Sequence, residues 1–225
     1  VVGMEQVVEL GRDDTDGFEI CLRRREADNL IVHELIVNGA FAMDSVDPTS
    51  EMALADLVDP GSERVLVGGL GLGITAGRLL DRCPGAWLEV VELSSALIGW
   101  ARQSLTPDLA RVATSSRVDL VHADIADALS GTTERPWDAI LLDVDNGPDF
   151  LIHQHNAGLY GHTMLQRAAS QLAPDGLLAL WCQHRSEPLA QALTELPGRS
   201  GIEEVRIERE GRVLDQAIHW LRWPG

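Results

Sequence analysis

The sequence predicts an α/β domain built on a mostly parallel sheet, with a small antiparallel β element ahead of it. Three observations carry this. From Arg64 onward short apolar runs alternate with stretches of helical apolar spacing, the pattern of a parallel sheet covered on both faces. Within that alternation, Val65-Leu66-Val67-Gly68-Gly69-Leu70-Gly71-Leu72-Gly73 places a buried strand before a glycine turn, after which Ile74, Ala76, Leu79 and Leu80 take up helical spacing. The last two strands, separated only by Glu210-Gly211-Arg212, read as an antiparallel hairpin at one sheet edge.

In chain order, residues 1–46 hold three strand-like segments, Met4 to Leu10, Phe18 to Arg24 and Leu30 to Val37, broken by polar turns. Phe18, Ile20 and Leu22 alternate with Glu19, Cys21 and Arg23, which predicts antiparallel strands with one wet face. This is a β-hairpin appendage over 1–46, and 47–225 is the main domain. Asn38-Gly39 marks a turn, and Asp47-Pro48 reads as the cap and first residue of a short helix whose apolar side is Met52, Leu54, Leu57 and Val58. Strands are expected at 64–68, 86–92, 117–122, 138–143, 176–182, 203–208 and 214–222, giving seven in the main sheet. Helices are expected at 73–82, 94–103, about 124–129, 157–172 and 187–195, with Pro174-Asp175-Gly176 a turn between the fourth of these and the fifth strand.

Composition narrows the chemistry. A chain of 225 residues, 45% apolar, can bury one good core. Its net charge of −17 opposes phosphate backbones and anionic membranes, so neither nucleic acid nor a membrane is an expected partner. The same charge serves solubility, and it also suits a cationic substrate such as an amine. All 18 basic residues are arginine, which rules out Schiff-base lysines and the P-loop lysine. Cys21, Cys83 and Cys182 are far apart and form no C-x-x-C pair, so reduced thiols are expected and a zinc site is not. His153-x-His155 with His162 lacks a register that would converge on a metal. No run of about 18 apolar residues and no basic-then-apolar leader is present, which predicts a soluble, cytoplasmic protein.

Ligands of an open α/β sheet collect beyond the carboxyl ends of its strands. There the first strand delivers Gly69, Gly71 and Gly73, which let backbone N–H groups approach a ligand at a helix start. The second delivers Glu92, about twenty residues past the turn, where βαβ nucleotide sites place a ribose-binding acid. The third delivers His122-Ala123-Asp124-Ile125, the fourth Asp143-Val144-Asp145-Asn146, and the fifth Cys182-Gln183-His184. Asp124 also suits the N-cap of the helix that follows it, and both roles are compatible. His184 reads as a surface histidine or a base.

Taken together, Val65–Gly73, Val91-Glu92, Ala123-Asp124, Trp137–Asp143, Leu159-Tyr160 and Gln171–Leu178 resemble the class I S-adenosylmethionine-dependent methyltransferases, and within them the spermidine synthase branch. The resemblance covers nearly the whole chain and implies a Rossmann-like fold. It also implies a cofactor, S-adenosylmethionine or its decarboxylated form. The residues implied to hold it are Gly69, Gly71, Gly73, Glu92, Leu93, Asp124, Ile125 and Asp143, with Leu93 and Ile125 sandwiching the adenine. Asp143 and Asp145 are the implied catalytic acids, and Asp145, Asn146 and Tyr160 the implied substrate contacts. Departures from the branch are specific. Its G-G-G-D-G turn carries an acid for the donor amine where this chain has Leu72, and its D-S-S-D motif aligns with Asp143, Val144, Asp145 and Asn146. The Gln and Tyr that embrace a diamine are missing around Gly39–Glu51, where Ala42, Met43 and Glu51 stand.

These departures favour methyl transfer to a small molecule over aminopropyl transfer to a diamine. Two other classes stay open. Gly71-x-Gly73-x-x-Ala76 also fits a dinucleotide fingerprint of an NAD-dependent oxidoreductase, and a nucleoside-binding protein without catalysis would account for the lost diamine residues. The exposed terminal hairpin suits a homodimer.

Overall fold

A computed structural model of the chain describes residues 6–27, 30–144, 147–148, 151, 158–209 and 212–225. Four strands come first: β1 (Gln6–Asp13), β2 (Ile20–Ala27), β3 (Leu30–Val37) and β4 (Ala40–Asp44). After α1 (Thr49–Asp56) the alternating part begins with β5 (Arg64–Gly68), α2 (Ile74–Arg82), β6 (Trp87–Glu92), α3 (Ser95–Arg102), α4 (Pro107–Thr114), β7 (Val118–His122) and α5 (Ile125–Ser130). It continues with β8 (Trp137–Leu142), α6 (His162–Ser170), β9 (Leu172–Cys182), α7 (Glu187–Thr194), β10 (Arg199–Arg209) and β11 (Arg212–Arg222).

The N-terminal appendage is a four-stranded antiparallel meander, β1-β2-β3-β4. Its fourth strand follows the Asn38-Gly39 turn, where both residues take positive φ. The predicted alternation holds for Ile20 and Leu22, but Cys21 on the other face is buried as well. Its thiol lies 3.7 Å from Glu9 Oε2, beside the Arg12–Glu9 ion pair, so charged side chains folded over the second face keep it from water.

The main sheet has seven strands in the order β10-β11-β9-β8-β5-β6-β7. Strands β7, β6, β5, β8 and β9 pair in parallel, while β11 runs antiparallel to both β9 and β10. This is a Rossmann-like methyltransferase fold. Strand order reverses between β5 and β8, because the chain builds outward through β6 and β7 and then returns to the other side of β5. Val65, Val67, Ala139 and Leu141 face one apolar layer with α1, α2 and α4, and Leu66, Ile140 and Leu142 face another with α5, α6 and α7.

Several boundaries differ from expectation. Helix α4 is an additional element. Its start signal is local: Thr106 Oγ1 accepts from the Leu109 N–H at 3.3 Å and Pro107 occupies the first helical position. Pro174-Asp175-Gly176 lies inside β9 and forms no separating turn. Asp175 has φ +61° and the β8–β9 register shifts between Trp137 and Ala139, so the strand absorbs the residues as an irregularity. The fourth expected helix accordingly ends at Ser170, and β10 begins at Arg199, ahead of residue 203. At α1 the cap position is Pro48. Asp47 still accepts from the Thr49 N–H at 3.1 Å and so fills the capping role from one residue further out. Among the described residues no helix is long and apolar enough to cross a membrane.

Leu141 is fully buried in the central strand β8. Leu141→Ala should lower unfolding free energy by about 2–5 kcal/mol, read as a lower denaturant midpoint with an unchanged slope.

Candidate active site

A crevice opens beyond the carboxyl ends of β5, β6, β7 and β8, at the reversal of strand order. Its floor is bare backbone. Gly69 has φ +93°, and a Cβ there would overlap the carbonyl oxygen of Asp143. Gly71 has φ +51°, and a Cβ there would stand 2.7 Å from Met43 Sδ. At Gly69 a side chain is excluded twice, by conformation and by main-chain atoms, while at Gly71 it is disfavoured by conformation and would require the Met43 side chain to move. Strand ends are locked together beneath this floor, with Gly69 N–H donating to Val91 O at 2.8 Å and Asp143 N–H to Gly68 O at 2.9 Å.

Four carboxylates stand around the floor. Glu92 accepts from the Leu70 N–H through Oε2 and from the Ser94 N–H through Oε1, each at 2.8 Å. That grip joins the glycine turn to the start of α3. Burial pushes the Glu92 carboxyl up, while its backbone donors, Leu70 and Ser94 foremost, pull it down. Asp124 caps α5 by accepting from the Ala126 N–H at 2.8 Å and also lines the crevice. Asp143 accepts from Thr75 Oγ1 at 2.8 Å, and burial raises its pKa against that hydrogen bond. Glu51, on α1, accepts from Ser50 Oγ at 2.7 Å. Burial first, then the charge of Asp143, pushes Glu51 up to about 7.

The roof comes from the N-terminal sheet: Phe18, Ile20, Leu35, Val37, Ala42 and Met43 all face the crevice. It shares the main apolar core, and two local contacts add to that hold. Gly11 lies so close to Trp100 on α3 that a Cβ would come within 2.6 Å of the indole. Asp16, in the β1–β2 turn, accepts from the backbone N–H and hydroxyl of Ser95 at 2.7 and 2.8 Å.

Of the residues expected at the site, the fold brings Gly69, Gly71, Glu92, Leu93, Asp124, Ile125 and Asp143 to one crevice. Gly73 is outside the lining. It starts α2 with φ +86°, and its α-carbon faces Asp108 O of α4. Tyr160 is buried in the apolar layer with Leu129, Leu165 and Leu172, and is also outside the lining. Asp145 and Asn146 lie outside the described residues, as do His153 and His155. His184 is exposed, and among the described residues no cluster of His, Cys, Asp or Glu could hold a metal. Thr75 and Trp181 are not expected here from the sequence, which offers Met43 and Glu51 only as residues standing where the diamine contacts are missing. For Glu51 a signal exists: it falls in phase with Leu54, Ala55 and Val58, putting a carboxyl on the apolar side of its helix.

The profile of the family described as Methyltransferase small domain matches residues 31–203. No curated protein matches the chain. Among solved structures, spermidine synthase from Thermotoga maritima superposes with a TM-score of 0.74 at 14% identity, covering 95% of this chain and 72% of that one. A probable spermidine synthase from Corynebacterium glutamicum gives 0.67 at 19% identity, covering 94% and 79%. Human methyltransferase-like protein 13, solved in complex with SAH, gives 0.58 at 22% identity, covering 77% and 80%. At these identities the likeness is one of fold.

Two outcomes follow from the geometry. Gly69→Ala should cost about 1–3 kcal/mol for the backbone conformation alone and more from the clash with Asp143, measured by equilibrium unfolding. Glu51 has a folded-state pKa raised from 4.5 to about 7, so its contribution is fully present below pH 4.5 and is lost as pH rises through 7. Glu51→Gln should therefore flatten the pH dependence and gain up to about 3 kcal/mol on the wild type at pH 8 relative to pH 4, measured by urea unfolding at both.

Proposed function

Because the chain belongs to the methyltransferase small domain family, we propose that it binds S-adenosylmethionine and transfers the methyl group to a small-molecule acceptor. The observation that carries this reading is the pairing of bare backbone at Gly69 and Gly71 with Glu92 held beside it by two backbone N–H groups. Such a cradle fits a nucleoside: the carboxylate of Glu92 suits ribose hydroxyls, and Asp124 suits the adenine amine. Leu93 and Ile125 supply apolar faces for the ring. S-adenosylmethionine, when bound, supplies a methyl group already activated by a sulfonium.

The chain's own task is then positioning, which can contribute about 7–11 kcal/mol to lowering a barrier of this kind. Asp143, tethered by Thr75 at the end of β8, is the acid assigned to orient the reacting groups, together with Asp145. Asn146 is assigned to the acceptor with Asp145. The unusual acidity of the crevice supports a cationic cofactor, since no arginine, lysine or histidine is among its described lining residues.

A second reading, aminopropyl transfer from the decarboxylated cofactor, is favoured by the superposition with two spermidine synthases. Against it stands Leu72, 2% exposed within the core, where that branch carries the acid for the donor amine. Titration calorimetry with both forms of the cofactor separates the readings. Tighter binding of S-adenosylmethionine than of its decarboxylated form supports methyl transfer, and the reverse order supports aminopropyl transfer. Binding of NADH without either would overturn both. Glu92→Ala should weaken binding of S-adenosylhomocysteine at least tenfold, the equivalent of about 1.4 kcal/mol for hydroxyls left without their partner.

A further inference from the structure

Behind Glu51 the crevice gives way to a second, smaller cavity of about 40 Å³, room for one small polar group. Ala42, Met43, Glu51 and Trp181 line both spaces, so the two adjoin along these side chains. Two sheet residues complete the polar wall. Trp181 lies on β9 opposite Ile218 of β11, and Gln216 lies two residues from Ile218, on the same face of the sheet. Helix α1 packs across this face and brings Ser50 and Glu51 to it.

The wall contains two polar atoms that are buried and have no hydrogen-bond partner, Trp181 Nε1 and Gln216 Oε1. Gln216 is itself only 9% exposed. Unpaired buried groups of this kind are costly and uncommon, and a bound molecule or an ordered water normally completes them. Their chemistry is complementary: an indole N–H can only donate, and an amide carbonyl can only accept. An ammonium has donors alone and leaves the indole unmet. A hydroxyl donates once and accepts from a second partner, so it satisfies both atoms.

The charged groups nearby are already engaged. Asp47 accepts from the Thr49 N–H and hydroxyl, Asp44 accepts from the Val46 N–H at 3.0 Å, and Glu51 from Ser50. Asp143 lies on the crevice side of Glu51. We propose that this cavity is the acceptor subsite of the transferase, built for an uncharged hydroxyl group seated between Trp181 and Gln216. The proposal rests on the methyl-transfer reading above and narrows its acceptor to a neutral, hydroxyl-bearing molecule.

A matched pair of probes tests it: 1,4-butanediol and 1,4-diaminobutane share a carbon skeleton and differ in charge and in accepting ability. The readout is the Trp181 indole N–H resonance in a ¹⁵N spectrum, assigned against Trp181→Phe and followed with S-adenosylhomocysteine present. Butanediol should move that resonance saturably and diaminobutane should not, and in Gln216→Leu the apparent affinity for butanediol should fall at least tenfold. If diaminobutane moves the resonance as far as butanediol or further, or if neither probe moves it in the wild type, the subsite assignment is overturned. Calorimetric binding of S-adenosylhomocysteine, measured first on the wild type, reports separately on the reading beneath it.

Discussion

Asp143 presents its main-chain carbonyl to Gly69 at a separation that no β-carbon would survive, while its N–H bonds to the residue before, Gly68. The carboxyl end of β8 is thereby pulled against the glycine turn of β5, and the rest of the site depends on that closeness. It sets Asp143 within reach of Thr75 on the first turn of α2. It also leaves the turn's N–H groups directed toward β6, where Glu92 collects one of them. A larger residue at position 69 would separate these strand ends, and with them the acids from the backbone they flank.

Concentrating carboxylates in one partly covered space has an electrostatic cost, and the protein meets it with hydrogen bonds in place of counter-charges. Glu92 has two backbone donors, Asp143 has Thr75, and Glu51 has Ser50. Burial nonetheless outweighs these donors, and all three carboxyls titrate above their usual range. A crevice of this kind discriminates by charge before it discriminates by shape. Cations are welcome where the acids keep their charge, and the smaller cavity behind Glu51, with its unpaired donor and acceptor, is suited to something neutral.

Much of this was legible in the sequence because it is local. Val65–Gly73 declares strand, turn and helix by apolar run and glycine spacing, and Glu92 and Asp124 follow at the ends of recognisable strands. The long-range parts were not legible. That Gly73 faces α4 follows from a helix signalled only by Thr106-Pro107, and that β9 starts at Leu172 depends on Asp175 taking a left-handed conformation inside a strand. The roof could be read as β segments, yet nothing in residues 1–46 says which apolar side covers the crevice, since that depends on packing across distant elements. Trp181 and Gln216 are 35 positions apart and meet only through the antiparallel register of β9 and β11. Glu51 lay in view, in phase with an apolar stripe, but a carboxyl there makes sense only once Asp143 is seen nearby.

The carboxylate of Asp16 grips a main-chain amide and a hydroxyl on α3 from the far end of the N-terminal sheet. That sheet also enters the main domain through the run from Asp44 to Thr49, and between these two points it buries Ile20, Leu22, Leu35 and Val37 in the same core as β5 and α2. The covering is thus fixed by covalent chain along one side, by a directional bond along the other and by shared apolar core between them. Lifting such a roof would expose buried aliphatic side chains as well as break the Asp16 bonds, so the crevice is walled by the fold and has no detachable cover.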